Sequence, residues 1–415
     1  MIQATKHVAV VGGGIVGVST AEWLRRAGIA VTLIDRGDAQ AAASFGNCGI
    51  LARGSVVPVT EPGVLAKAPG MLFNPDKALF VKWSYLPRLL PWLVPYLLNA
   101  TAEKARRVAA GLAPLLLDCV DQHSALAQGT PAARWIAPGD ILYLYKDRAA
   151  FEAEGFGWAL RREHGISGEP LEEGALGDYD PAICPAYRFG YRLADHGSIT
   201  DPGAYVADLA AWFEAQGGVR LMADVTAITP IEAGVRIEHE GGFLDVDKVA
   251  ICCGAWSKRL SESLGHRMPL ESKRGYHVMY EGPNHNPPAP YMLTDTNIFA
   301  TPMEGGLRAG GVVEFAGLEN PPSRAPIEML ERAVRKLYPD FSFAAKSDWM
   351  GHRPATTDSL PVLGPSSKHP NIFFAFGHHH IGLTAGPKSG RLLADMIAGR
   401  RPDIDVGAYR IDRFA

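Results

Sequence analysis

The chain has little of what would place it in a special class. Its 415 residues include only five cysteines. Cys48, Cys119, Cys184, Cys252 and Cys253 are odd in number, scattered and without a CxxC pair, so neither a disulfide framework nor a thiolate metal knuckle is expected. Reduced thiols in a cytoplasmic setting are the reading; Cys252 and Cys253 end an apolar run, where small core residues suit better than a vicinal disulfide. Charge of one sign is not in excess. With 41 Lys+Arg against 44 Asp+Glu the formal charge is −3, which argues against nucleic acid bound on a broad cationic face. No internal repeat is visible. No uninterrupted apolar run spans a bilayer either, because Lys82, Arg88 and three prolines break the stretch 79–98. That stretch reads as a buried or lid-forming segment, with a peripheral contact at the inner face of a membrane as the alternative. The apolar start 8–18 is interrupted by spaced glycines and continues amphipathically, which predicts a mature strand and helix rather than a signal peptide.

Glycine and proline, by contrast, are plentiful at 45 and 31 residues. They show no collagen-like period or low-complexity block, so turns and close backbone approaches must use them. The length predicts two or three structural units at roughly 150 residues each. Residues 6–35 read as strand, glycine turn, helix and strand, one βαβ unit. After a loop over 40–63, a helical pattern is expected over 78–126, a strand at 141–145 and a helix over 151–164. Asp201 as N-cap and Pro202 at the first helical position open a helix to residue 216. Strands at 219–227, 234–240, 248–252, 276–280 and 310–315 follow. A helix at 327–337, a strand at 371–376 and a helix at 386–398 complete the reading. The pattern alternates between two characters along the chain, which predicts two interleaved domains rather than consecutive ones.

Gly12, Gly14 and Gly17 make a GxGxxG between the first strand and helix, with Ile15 and Val16 inside it. The first glycine permits a tight turn, the second lets backbone approach a pyrophosphate, and the third lets helix and strand pack closely. Anionic phosphates then meet the free N–H groups of a helix N-terminus. The following strand ends in Asp35, near the spacing of roughly 20 residues expected for a ribose-binding acid, with Arg36 beside it. The fingerprint predicts a dinucleotide and leaves NAD and FAD open.

The remaining motifs separate them. The start VVGGGIVGVSTAEWLRRAG resembles the glutathione-reductase-like FAD proteins. Three further segments, 44–49 (SFGNCG), 351–364 (GHRPATTDSLPVLG) and 376–384 (FGHHHIGLT), resemble the D-amino acid oxidase superfamily, with bacterial D-amino acid dehydrogenases nearest and hydroxyproline dehydrogenases and glycine/sarcosine oxidases close by. The resemblance covers nearly the whole chain. It implies an α/β fold in which a glutathione-reductase-like Rossmann FAD domain (1–77, 190–265 and 350–415) is interleaved with a substrate domain on a mostly antiparallel sheet (78–189 and 266–349).

The same resemblance implies non-covalent FAD. Gly12, Gly14 and Gly17 would hold the pyrophosphate and Asp35 the ribose, while Ser44, Asn47 and Gly49 form a loop reaching the flavin. Val225 and Gly254 lie against the cofactor, and Gly382, Leu383 and Thr384 offer a helix N-terminus to the flavin pyrimidine. Cys48 stands where the family commonly has a small residue, and the run His378-His379-His380 is also a departure. Neighbouring residues on an extended segment point in alternate directions, so the three imidazoles are not expected to share a metal ion.

Arg353 matches the arginine that grips the substrate carboxylate, a bidentate task suited to guanidinium. Tyr276 is a second hydrogen-bond candidate, Arg308 a candidate near the ring, and His380 falls on the substrate side. The implied activity is hydride removal from Cα of a D-amino acid, or of a cyclic or secondary one, with electrons passed to a quinone or other partner. A glycine/sarcosine-type oxidase using oxygen and a flavin subunit of a larger electron-transfer complex are the alternatives.

Overall fold

In the computed structural model, residues 5–63 and 78–415 are described. The βαβ start forms as expected: strand His7–Val11, helix Ile15–Arg26 and strand Ala30–Asp35. These strands belong to a six-stranded sheet in the order Val362–Pro365, Ile372–Phe376, Lys248–Ile251, His7–Val11, Ala30–Asp35, Val219–Met222. All pairs are parallel except the first. Val8, Ala9 and Val10 have no exposed surface, as a parallel strand covered on both faces requires. The chain leaves His7–Val11 for a strand on one side and later returns on the other. The crevice at the strands' carboxyl ends is therefore a topological switch point, the usual ligand position in such sheets.

The helix Gly382–Ile397 crosses the first helix closely. A Cβ on Gly386 would stand 3.0 Å from Ile15, and one on Gly390 2.6 Å from Ser19. Both helices thereby send their N-termini toward the same crevice. The helix begins one turn before the predicted residue 386 and contains Pro387. Proline deprives the Leu383 carbonyl of its helical donor, and the buried His123 Nε2–H supplies one at 2.9 Å, while Nδ1 of the same ring accepts from Tyr205. Burial lowers the His123 pKa to about 4, which keeps the imidazole neutral for this double role.

A second sheet has ten strands. Its main path runs Ala345–Thr356, Leu270–Glu281, Gly306–Phe315, Ile298–Met303, Tyr291–Leu293, Ile136–Tyr145, Phe189–Ile199, Ile50–Leu51, with Leu79–Val81 and Glu169–Glu172 paired at its side. Two of its pairs are parallel and the rest antiparallel, in agreement with the expected mostly antiparallel sheet. Strands Phe189–Ile199 and Ala345–Thr356 lie in this sheet, across the limits expected at 190 and 350. The backbone partners decide their membership, not the local composition.

Three local expectations are corrected. The segment 78–126 opens with the strand Leu79–Val81, drawn into pairing by Val313–Phe315, before helices Leu86–Leu97, Ala102–Leu116 and Cys119–Ala127. The helix expected over 151–164 is two, Arg148–Glu152 and Gly155–Glu163. The strand expected over 219–227 divides into Val219–Met222, in the six-stranded sheet, and Val225–Ile231, in a separate three-stranded antiparallel sheet. The cap at Asp201 is as expected, its side chain accepting from the Ala204 N–H at 2.9 Å. The five cysteines are free thiols.

Candidate functional site

A continuous cleft of about 1530 Å³ runs from the carboxyl ends of the parallel sheet to the ten-stranded sheet. Small-molecule pockets usually occupy about 300–1,000 Å³, so this cleft has room for a large ligand and a small one together.

At the parallel-sheet end the glycines act through backbone. Gly12 has φ +111°, and a Cβ there would lie 2.5 Å from the Cys252 carbonyl. At Gly17 the Cβ would lie 1.8 Å from the Gly12 oxygen, so Gly17 stands behind the wall and lets the helix touch the turn. The helix N-cap is Gly14, which has no capping side chain. Ser44 comes from another segment and accepts from the Ile15 N–H at 3.1 Å. Gly14, Ile15 and Val16 line the cleft. The Asp35 carboxylate also lines it, accepting from Gly13 N–H at 2.6 Å and Gly37 N–H at 2.9 Å. Arg36 lays its guanidinium over the Trp256 ring at 4.0 Å. Val225 and Gly254 border the same stretch.

Further along, the loop 45–49 is pinned from three directions. Arg308 Nη1 donates to the carbonyls of Asn47, at 2.6 Å, and Phe45. His277 bonds the Gly46 carbonyl at 2.9 Å and stacks on Trp349. Asn47 Oδ1 accepts from the Gly49 N–H at 2.8 Å, and Gly49 has φ +73° with its carbonyl bonded to Ile199. Opposite stands the N-terminus of helix Gly382–Ile397, again without a capping side chain. Gly382, Leu383 and Thr384 line the cleft, and the Thr384 hydroxyl donates to Ile50. Cys48 is packed where a Cβ on Gly310 would be 2.5 Å from its sulfur, and burial raises its thiol pKa.

The far end carries cations without acidic partners among the described residues. Arg353 lines the cleft with one N–H on the Val312 carbonyl at 2.9 Å and its guanidinium over Gly275, where a Cβ would meet it at 2.5 Å. Lys273, directly opposite Arg353 in the sheet register, is buried and donates to the Tyr96 hydroxyl at 2.6 Å. Burial and then the charge of Arg353 lower its pKa to about 7. His380 lines the cleft with its ring exposed to that space; partial desolvation by the surrounding walls, then the charges of Arg353 and Lys273, lower its pKa. Its neighbours turn elsewhere, His378 to Ser389 and His379 to Thr356. Among the described residues no group of three or more His, Cys, Asp or Glu is placed to hold a metal ion.

Two of the expected site residues are engaged by protein groups. The Tyr276 hydroxyl donates to Glu314 at 2.5 Å and accepts from the Ser323 N–H. It belongs to a buried network with Arg274, which bridges to Glu314 at 3.4 Å. Its one hydroxyl proton is given to Glu314, although the residue lines the cleft. Arg308 braces the loop 45–47 rather than facing the open space. Lys273 and Tyr96 went unnoticed in the sequence because their proximity spans 177 residues.

The helix Leu86–Leu97 walls this end. Leu89, Trp92 and Tyr96 are buried, and the Trp92 N–H donates to the Ala355 carbonyl. Trp83, Leu90, Val94 and Leu98 are exposed, Leu98 at 63%. Among the described residues no helix is long and apolar enough to cross a membrane.

This cradle fits FAD: two helix N-termini without a capping side chain of their own for diphosphate and flavin, an acid for a ribose hydroxyl, glycines that let turn, strand and helix close up behind the phosphates, and space left at the cationic end. The DAO family, described as FAD dependent oxidoreductase, matches residues 7–396. The chain is similar to the D-amino-acid oxidase of Bradyrhizobium diazoefficiens, 36% identical over 417 residues with 99% of each chain covered. It is also similar to the D-amino acid dehydrogenase of Methylobacterium nodulans, 32% identical with 96% of each covered. Glycine oxidase from Geobacillus kaustophilus shares the fold, with a TM-score of 0.76 at 20% identity, covering 99% of this chain and all of that one.

Proposed function

Since this chain belongs to the DAO family of FAD-dependent oxidoreductases, we propose that it oxidises the C–N bond of a D-amino acid, or of a cyclic or secondary amino acid of the D-proline type. The Cα–H bond is broken with transfer of hydride, the amine becomes an imine, and water converts an open-chain imino acid to a 2-oxo acid and ammonia. A cyclic imine persists. FAD, when bound, supplies the two-electron acceptor at N5.

The observation that carries this reading is Arg353, a guanidinium on the cleft wall without a carboxylate of its own among the described residues. A substrate carboxylate satisfies it with paired hydrogen bonds and fixes the direction of Cα–H. Orientation of this kind is the main contribution that the protein makes to the transfer. His380, neutral and facing the cleft, shapes the pocket. No dedicated base is required when the amine arrives neutral. Gly12, Gly14 and the N-terminus of the helix that Gly17 lets pack against the turn would hold the phosphates, Asp35 the ribose, and Gly382, Leu383 and Thr384 the flavin pyrimidine. In this reading the cofactor domain is 1–77, 190–265 and 350–415 and the substrate domain 78–189 and 266–349, with Arg353 and His380 reaching the substrate from the cofactor domain. Attachment is non-covalent: Cys48 is a buried thiol of raised pKa, poorly suited to act as a nucleophile.

We take a quinone or a partner protein as acceptor. Oxygen is the second reading, favoured by the similarity to a protein named D-amino-acid oxidase. Anaerobic bleaching of the bound flavin by a panel of D-amino, imino and N-methyl amino acids, followed by turnover with dichlorophenol-indophenol or oxygen, tests both. Absence of bleaching by every compound would overturn the enzyme reading in favour of a flavin subunit. The exposed face of Leu86–Leu97 supports peripheral membrane contact. Co-sedimentation with anionic vesicles is expected to fall at least about threefold in Leu90→Ser/Val94→Ser, and equal sedimentation would remove that contact.

A further inference from the structure

Arg353 accounts for one substrate carboxylate; Lys273 is a second cation that this task leaves unused. The two residues are directly opposite on paired antiparallel strands, so their side chains leave the same face of the sheet. From there they diverge. The guanidinium lies over Gly275, which pairs with Gly351. The ammonium goes toward the other end of the strand, to Tyr96 and over its ring at 4.1 Å, beside Trp92, which is bonded to Ala355. Lys273 is 6% exposed, with the neutral Tyr96 hydroxyl as its hydrogen-bond partner and no acid against it among the described residues. A buried ammonium in this state is costly and gives up its proton readily, and an anion joining it restores the charged form. Both residues line the same cleft.

We propose that Lys273, positioned by Tyr96, receives a second anionic group of the substrate, so that the site prefers amino acids bearing a side-chain carboxylate over their neutral isosteres. The inference rests on the amino-acid oxidation proposed above. Two cations that diverge from adjacent roots suit two separated carboxylates better than one. Arg353 takes the α-carboxylate and Lys273 the distal one, while the Tyr96 hydroxyl keeps the ammonium aimed.

The test compares D-glutamate with D-glutamine in anaerobic flavin reduction by the holoenzyme. The expected kcat/KM is at least about tenfold higher for D-glutamate, in line with a charge-assisted hydrogen bond. Lys273→Met is expected to abolish this preference, bringing kcat/KM for the two substrates within about threefold of each other. Tyr96→Phe is expected to reduce the preference partly, through KM. Competitive inhibition by glutarate against butyrate gives a measurement on the unaltered enzyme, with glutarate the tighter. Equal or better reduction by D-glutamine, or equal inhibition by both acids, would overturn the inference and leave amino-acid oxidation standing. Loss of both substrates in equal measure in Lys273→Met, with flavin retained, would also overturn it. If no amino acid reduces the flavin, it is the function itself that fails.

Discussion

Arg353→Leu is expected to lower kcat/KM for amino-acid oxidation by about 10³-fold, with flavin content and thermal stability unchanged or slightly improved. The two halves of this result have different causes. Removing one partner from a buried, hydrogen-bonded charge pair costs about 2–5 kcal/mol, and every 1.4 kcal/mol is tenfold. The bound substrate loses that much. The protein without substrate does not, because burial of an uncompensated guanidinium is itself unfavourable, and the residue's one N–H on Val312 is a modest attachment. A lysine at 353 is expected to restore little, since a point charge cannot reproduce the paired geometry. An independent signature lies in Lys273. The charge of Arg353 holds the Lys273 pKa down, so its removal moves any limb of the pH–rate profile that Lys273 governs to higher pH. A variant that keeps wild-type KM and kcat would show that the carboxylate is held elsewhere.

The second large effect is expected at Gly17. A Cβ there would sit 1.8 Å from the Gly12 carbonyl oxygen, a backbone atom that cannot rotate away. Gly17→Ala must push the helix Ile15–Arg26 off its strand. That movement carries the Ile15 N–H away from Ser44 and disturbs the packing of Ile15 and Ser19 against Gly386 and Gly390. Overpacking of this kind costs about 1–3 kcal/mol in a core, and here it also spoils the anion site. The expected protein is colourless, with FAD affinity reduced at least about 100-fold and a lower melting temperature in the absence of cofactor. Gly14→Ala is the contrast. Its Cβ would meet only the Ser44 hydroxyl, at 3.4 Å. It should leave the cofactor-free protein as stable as before while weakening FAD, because the added carbon stands between the helix N-terminus and the phosphates. Retention of flavin by Gly17→Ala would refute the close-approach role.

What was legible in the sequence was whatever is written within a few neighbouring residues. The GxGxxG turn, the strand ending in Asp35 and the cap at Asp201 each depend on local backbone requirements, and each stands where expected. Tyr276 and Arg308 show the limit. Tyr276 lies where a strand was expected and Arg308 two residues before one, yet the first donates to Glu314, 38 positions away, and the second to Asn47, 261 positions away. Nothing in a strand's alternation says which partner a polar tip will find. The helix over 386–398 was recognised late in its course because Pro387 argues against a helix interior; His123, 260 residues from Leu383, removes that objection by bonding the orphaned carbonyl.

By itself the sequence determined a dinucleotide cradle, an interleaved α/β architecture and a family likeness that named the chemistry. These follow from periodicity, steric necessity at glycine and short motifs, all local. The tertiary structure alone decided which charged groups share the cleft. Lys273 and Arg353 meet because two strands pair in one register, Tyr96 reaches Lys273 from a helix with three prolines, and no acid among the described residues pairs with either. Sheet register and hydrogen-bond partnership are long-range properties, set by which surfaces pack together once the chain is compact.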